Sequence, residues 1–282
     1  MDQPKQSRLF GRPIKIVTPK DKKIKEKADG VKLASISYSS IKDYLACPKL
    51  FYYRDLLKIR LPEKKIELVF GTGVHAAFES YTSGTDPREA FTKAFDPKLL
   101  EPVELTDGTF DEHVKEGERF IQVFLDSQQY FKDVWNLELK GKPERMFRTW
   151  MKDPITKSML PVAFSGRVDF ETDAGQIIDY KTSSKLYKQD EVDNNLQPSY
   201  YILEYLARTG KMPEGFYYII LVKGRKEPLQ VVRTTRTKEQ LSLAFKMAEL
   251  VVNGVKAGNF PRGSGWMHKF CQCEQYEKAL LI

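Results

Sequence analysis

The chain has 282 residues, 41% of them hydrophobic and 30% charged, with a net charge of +8. That is enough apolar material for one large core or two small ones, but no run of 18 apolar residues exists for a membrane span, and the charged N-terminus lacks the apolar stretch of a secretory signal. Three cysteines make no disulfide framework and fit a reducing compartment, so the expected location is cytoplasmic.

Residues 1–32 hold ten Lys and Arg against four Asp and Glu, and so six of the eight net positive charges. Rich in lysine and proline and poor in large apolar residues, residues 1–34 read as a flexible basic arm, either a solvated tail or a source of salt-sensitive attraction to nucleic acid. The remainder, 35–282, is expected to be one domain: a helical part to about 132, a sheet core over about 133–257, and a cysteine-containing end.

Ser40 and Asp43 suggest a capping box opening a first helix, short or kinked at Pro48. A second helix ends at Gly84, with Leu68, Gly71, Val74, His75 and Phe78 marking one stripe. Its interior glycines, Gly71 and Gly73, each cost about 1 kcal/mol, which implies a close approach by something else. Further helices are expected over 86–95, with Pro87 in the first turn, and over 111–131. From Val134 the pattern turns to β-formers: VWNLELKG, RMFRTWMKD, AFSGRVDFET and QIIDYKT. A helix over about 189–209, strands GFYYIILVKG and LQVVRTTR, and a helix over 237–256 complete an α+β or α/β layered arrangement with a mixed sheet.

The chemistry concentrates in SGRVDFETDAGQIIDYKTSS. If Asp173, Ala174 and Gly175 form a hairpin loop with glycine in the left-handed position, Thr172 faces Gln176 and Asp169 lies opposite Asp179, with Cβ atoms about 5 Å apart. Lys181 shares the face of Asp179. Two carboxylates that close repel, and a divalent cation removes that cost while activating water against a phosphodiester. The plainer reading is a hairpin with exposed acids and a lysine paired to one of them. His75 and Glu79 sit one turn apart on the second helix, although a lone histidine on an apolar stripe is more often a core residue. Gln197 and Tyr201 leave one face of the helix after the hairpin, over the strand that carries Lys181.

Taken in order, Gly71-x3-His75, Gly166-x2-Asp169, Asp179-x-Lys181 and Gln197-x3-Tyr201 resemble the RecB-like branch of the PD-(D/E)XK nuclease superfamily, which includes the AddB nuclease domain and CRISPR-associated RecB-like exonucleases. Ser37-Tyr38-Ser39 and Cys47-Pro48 are similar to the start of that branch, and the resemblance spans about 35–276. It implies a restriction-endonuclease-like core, a central mixed β-sheet flanked by helices with an N-terminal helical part. It also implies that His75, Asp169, Asp179 and the main-chain carbonyl of Tyr180 bind Mg2+ or Mn2+, that Lys181 positions or helps deprotonate the water, and that Gln197 and Tyr201 contact DNA and support the site. A nitrogen ligand leans toward manganese. The activity implied is exonucleolytic cleavage of single strands or DNA ends in recombination, repair or phage-type DNA processing, with a helicase or recombination partner. Structure-specific endonuclease action and a catalytically silent binding module are the alternatives.

Cluster-bearing members of the family use one cysteine in the opening helix and three at the C-terminus spaced C-x2-C-x5-C. Here the cysteines are Cys47, Cys271 and Cys273, and with Cys271 second in that spacing the first position falls on His268 and the last on Glu277. A four-thiolate iron–sulfur cluster cannot form within one chain. The preferred expectation is an end packed around Trp266 and Phe270 without metal, and the alternative is a zinc or cluster site of Cys47, His268, Cys271 and Cys273.

Overall fold

The structure is a computed structural model and describes residues 8–9, 12–13, 33–59, 61, 64–96, 103–104, 108–264, 268 and 271–279. Its described centre is a six-stranded mixed sheet. The strands are β1 (Ser35–Ile36), β2 (Gly141–Thr149), β3 (Ala163–Thr172), β4 (Gln176–Ser183), β5 (Gly215–Val222) and β6 (Leu229–Thr234). They lie in the order β6-β5-β4-β3, with β4 and β5 parallel and β5 and β6 antiparallel. β2 follows one edge of β3 from Gly141↔Thr172 to Thr149↔Phe164. The other edge is shared: β1 takes Ala163 and Phe164, while β4 takes Phe170 and Glu171. Between those two pairings the edge opens, and the candidate site lies there.

Strand periodicity assigns the two faces. In β5, where every residue is buried, Phe216, Tyr218, Ile220 and Val222 enter one core and Tyr217, Ile219 and Leu221 the other. The first core lies under α1 (Tyr38–Ala46), α8 (Leu196–Thr209) and α9 (Lys238–Lys256). The second lies under α3 (Ile66–Thr82), α4 (Pro87–Ala94) and α5 (Phe110–Asp126). It is dense in phenylalanine: Phe70, Phe78, Phe91, Phe120 and Phe124 are 0–2% exposed, each burial favouring the fold by about 2–3 kcal/mol. Gly73 permits the packing of α3 on α4, since a Cβ there would meet the Phe91 ring at 3.1 Å.

A buried ionic network fixes α8 on the sheet. Glu204, with no exposed surface, accepts from Arg145 of β2 at 2.7 and 3.1 Å and from Arg208 at 3.2 Å, while both arginines also reach Glu171 of β3. Such a network adds little net stability but is costly to break, so it specifies the placement of α8.

The structure revises several expectations. The first helix is capped by Ser37, whose hydroxyl accepts from the Ser40 amide, three residues before the expected start. It ends at Cys47, and Pro48 opens α2 (Pro48–Phe51), which runs into a π-turn over Tyr52–Leu56. The helix expected over 111–131 breaks at Ser127, and α6 (Gln128–Trp135) continues until Asn136 turns left-handed with φ 49°. The strand expected from Val134 is therefore helix and then coil, with the sheet beginning at Gly141. The helix expected over 189–209 is two, α7 (Gln189–Asp193) and α8, because Pro198 lacks the amide that a continuous helix needs and Asn195 caps a new start by accepting from Gln197. In α3 the buried stripe is Ile66, Phe70, Val74, Ala77 and Phe78, and Leu68 is 69% exposed. Of the expected basic arm, the described parts are 33–34 and a short antiparallel ladder, Arg8–Leu9 with Arg12–Pro13. The rest of the arm, with Trp266 and Phe270, lies outside the described residues.

Candidate active site

The hairpin has the expected loop and register. Gly175 takes φ +84° at the end of the loop and donates to the Thr172 carbonyl at 2.9 Å. Phe170 pairs with Ile178 and Glu171 with Ile177, so the register would set Asp169 against Asp179. The ladder stops one pair short of them. In place of a main-chain partner, the Tyr180 amide donates to Oδ2 of Asp169 at 2.9 Å, and the side chain of Asp169 occupies the opening between β3 and β4.

His75 projects from α3 into this opening, with Nδ1 3.4 Å from Asp169 Oδ2 and a hydrogen bond to the Tyr180 main chain. Burial holds its imidazole below the usual histidine range against the pull of Asp169, so the neutral, metal-competent form is favoured. Gly71 of the same helix faces β4, where a Cβ would make an ordinary contact with Thr182 Oγ1 at 3.4 Å.

Asp179 is 5% exposed and held from two sides. Its Oδ2 is ion-paired with Lys181, and its Oδ1 accepts from Gln197 Nε2 at 2.7 Å. The Gln197 amide is fixed in turn by the Tyr218 hydroxyl, which donates to its Oε1 at 3.3 Å. Burial, opposed by Lys181 and reinforced by Asp169, pushes the Asp179 carboxyl up to about 7. For Lys181, burial works to neutralise the ammonium, but Asp179 and Asp169 outweigh it and the group stays charged.

One acidic group was missed by the sequence reading. Glu144 of β2 lies at the register position opposite Asp169, carries φ +46°, and is ion-paired with Arg167. The donor atoms of Glu144, Asp169 and His75 lie within 4.8 Å of one another. Burial pushes Glu144 up to about 7, against Arg167 and with the help of Asp169 and Glu79. A glutamate in left-handed conformation inside a strand is uncommon, and such strain concentrates at functional positions.

These groups meet beside a cleft of about 790 Å³ lined by His75, Glu79, Glu144, Arg167, Lys181 and Lys223, among others. The carboxylates and imidazole at the cleft suit a hard or borderline divalent cation, and the cationic side chains suit a phosphate. Burial first, and the neighbouring acids second, drive Asp179 and Glu144 toward neutrality, and a divalent cation relieves that deficit. The donor set therefore fits a metal.

Of the other expected site residues, Gln197 reaches Asp179, whereas Tyr201 donates its hydroxyl to the Arg167 carbonyl of β3 at 3.0 Å and packs on Phe147. Asp179 is joined to Lys181 and Gln197 and stands outside the close trio of His75, Glu144 and Asp169. Cys47, His268, Cys271 and Cys273 come together in a separate cluster of their own.

No curated protein matches the sequence at a significant level. Among solved structures, a protein of Eubacterium rectale that carries a provisional exonuclease name superposes with a TM-score of 0.57 over 92% of this chain and 92% of its own, at 16% identity. A second, SSO0001, matches 75% of this chain and 82% of its own at 10% identity with a TM-score of 0.29, too low to bear on the fold. The signature of the PD-(D/E)XK nuclease superfamily matches residues 35–276, nearly the whole of the described fold. The chain belongs to the PD-(D/E)XK nuclease superfamily.

Proposed function

We propose that this nuclease is a divalent-metal-dependent deoxyribonuclease of RecB-like type that degrades single strands or DNA ends, in recombination, repair or phage-type DNA processing. The observation that carries the reading is the meeting of His75, Asp169 and the Tyr180 main chain at the opening between β3 and β4, beside the Asp179–Lys181 pair. His75, Asp169 and Asp179 would hold Mg2+ or Mn2+, and the Tyr180 carbonyl would add a main-chain oxygen. Glu144 is close enough to share that role. The ion would acidify a water and polarise the phosphodiester.

The protein's own groups prepare that chemistry. Gln197 and Tyr218 fix the carboxylate of Asp179 from behind, and the Tyr180 amide fixes that of Asp169. Lys181, held charged, is a donor suited to orienting the attacking water and offsetting charge that builds on the phosphoryl oxygens. Arg167 and Lys223 on the cleft wall suit the flanking phosphates. Linear and closed circular single-stranded DNA, labelled and incubated with Mn2+, separate the readings. Degradation of the linear substrate alone is the expected outcome. Cutting of the circle would assign endonuclease action, and tight binding without cleavage would assign a silent binding module.

A further inference from the structure

Outside the cleft, the most concentrated group of ligating side chains among the described residues is Cys47, His268, Cys271 and Cys273. They come from separate places in the chain. Cys47 sits at the junction of α1 and α2, His268 lies in the closing segment, and Cys271 and Cys273 lie at the start of α10 (Cys273–Ala279). Their donor atoms nevertheless lie within 4.8 Å of one another, with His268 Nε2 3.2 Å from Cys273 Sγ. We infer that these four residues form a structural site for a single zinc ion, which clasps α10 to the α1–α2 junction.

Three thiolates and one imidazole are a recurrent tetrahedral zinc set, and ligand bonds of about 2.0–2.3 Å place the donors of such an ion about 3.5–3.8 Å apart. A spread within 4.8 Å is already close to that. A four-iron cluster takes each ligand on a different iron, which spreads the donors wider, and its usual four-thiolate ligation would need the fourth cysteine that this chain lacks. The compactness of the group and its histidine thus favour one ion over a cluster.

The surroundings are those of a closed site. Cys47 and Cys273 are at most 1% exposed, beneath Leu50 and the stacked rings of Tyr53 and Tyr276. Main-chain amides point at two of the sulfurs, Gly263 to Cys47 at 3.3 Å and Cys273 to Cys271 at 3.5 Å, the outer hydrogen bonding that steadies metal thiolates. Gly263 must be bare for that approach, since a Cβ would lie 2.7 Å from the Ala46 carbonyl and 3.3 Å from the His268 ring. Apolar packing alone accounts for buried cysteines, but it gives no reason for an imidazole nitrogen to be aimed at a thiol. With all four positions supplied by protein, the ion has no open site for chemistry, and its effect is on folding.

The test is the metal content of the untagged full-length protein by mass spectrometry, together with its visible spectrum. The expected result is about one zinc per chain, no colour, and replacement by Co2+ that gives the intense absorption of a tetrahedral thiolate site. His268→Ala and Cys271→Ser should lose most of that zinc, and His268→Cys, which keeps four soft ligands, should retain it. A brown protein containing iron would overturn the inference, as would a folded wild-type chain with no metal and three titratable thiols. No residue of the cleft takes part, so either result leaves the nuclease reading standing.

Discussion

Replacing Gln197 by leucine isolates the support beneath Asp179. The substitution keeps the helix and most of the volume, but removes the 2.7 Å hydrogen bond to Asp179 Oδ1 and the acceptor for the Tyr218 hydroxyl. A hydrogen bond to a buried charged group is worth about 1.5–3 kcal/mol, equivalent to about 10- to 100-fold in an equilibrium constant. Loss of an outer-shell partner typically costs a similar factor in metal affinity or activity. The expected outcome is that the Mn2+ concentration giving half-maximal cleavage rises about 10- to 100-fold in Gln197→Leu, with activity largely restored at saturating metal. Tyr218→Phe should shift it less, because its bond to Gln197 is longer at 3.3 Å. The assay is cleavage of fluorescently labelled linear single-stranded DNA across a manganese titration, with thermal melting to show that both variants fold. A leucine variant with the wild-type manganese midpoint and rate would refute the reasoning, since Asp179 would then need no support from α8.

Three further outcomes follow from the same geometry. The Tyr180 hydroxyl is buried without a hydrogen-bond partner among the described residues, so Tyr180→Phe should raise stability by about 1–3 kcal/mol in chemical denaturation and leave cleavage intact; a loss of activity would show that the side chain, and not the main chain, serves the site. Glu144→Gln keeps the shape but removes the charge, and it should weaken manganese activation about tenfold, whereas an unchanged titration would place Glu144 outside the metal's reach. Asp179 and Glu144 are both raised to about 7, so the stability they contribute is present below the ordinary carboxylate range and lost as pH rises through about 7. Without added divalent metal, the wild-type melting temperature should therefore fall more between pH 5 and pH 8 than that of Asp179→Asn combined with Glu144→Gln, and parallel curves would contradict the assignment.

Much of this architecture was legible in the sequence because local chemistry and tertiary need coincide. The strand of Gly215–Val222 is a run of β-formers that is buried on both faces, and the hairpin register follows from a loop in which only Gly175 needs a left-handed backbone. What escaped was decided by tertiary context. In α3 apolar residues occur around much of the helix, so periodicity did not separate the buried Ile66, Phe70 and Val74 from Leu68, which lies beside Gly71 and His75 on the cleft. Glu144 sits in a charged strand, GKPERMFRT, where nothing in the spacing marks it. Its place in the site comes from pairing with β3 and from an unusual backbone conformation, and laying the register of β2 along β3, which sets residue 144 against Asp169, was the one signal that would have found it. The cysteines show a mixed case: the broken spacing put His268 in register with the family's first C-terminal ligand but favoured an end without metal, and the fold brings His268 within ligand distance of all three thiols.

The central claim is tested most directly by the Mn2+-dependent cleavage of labelled linear DNA by the wild type, Asp169→Ala and Lys181→Ala, all shown to be folded. Cleavage by the wild type that is abolished in both variants is the predicted result. Cleavage by either variant at the wild-type rate, or a wild type that leaves DNA intact across single-stranded and duplex substrates, would contradict it.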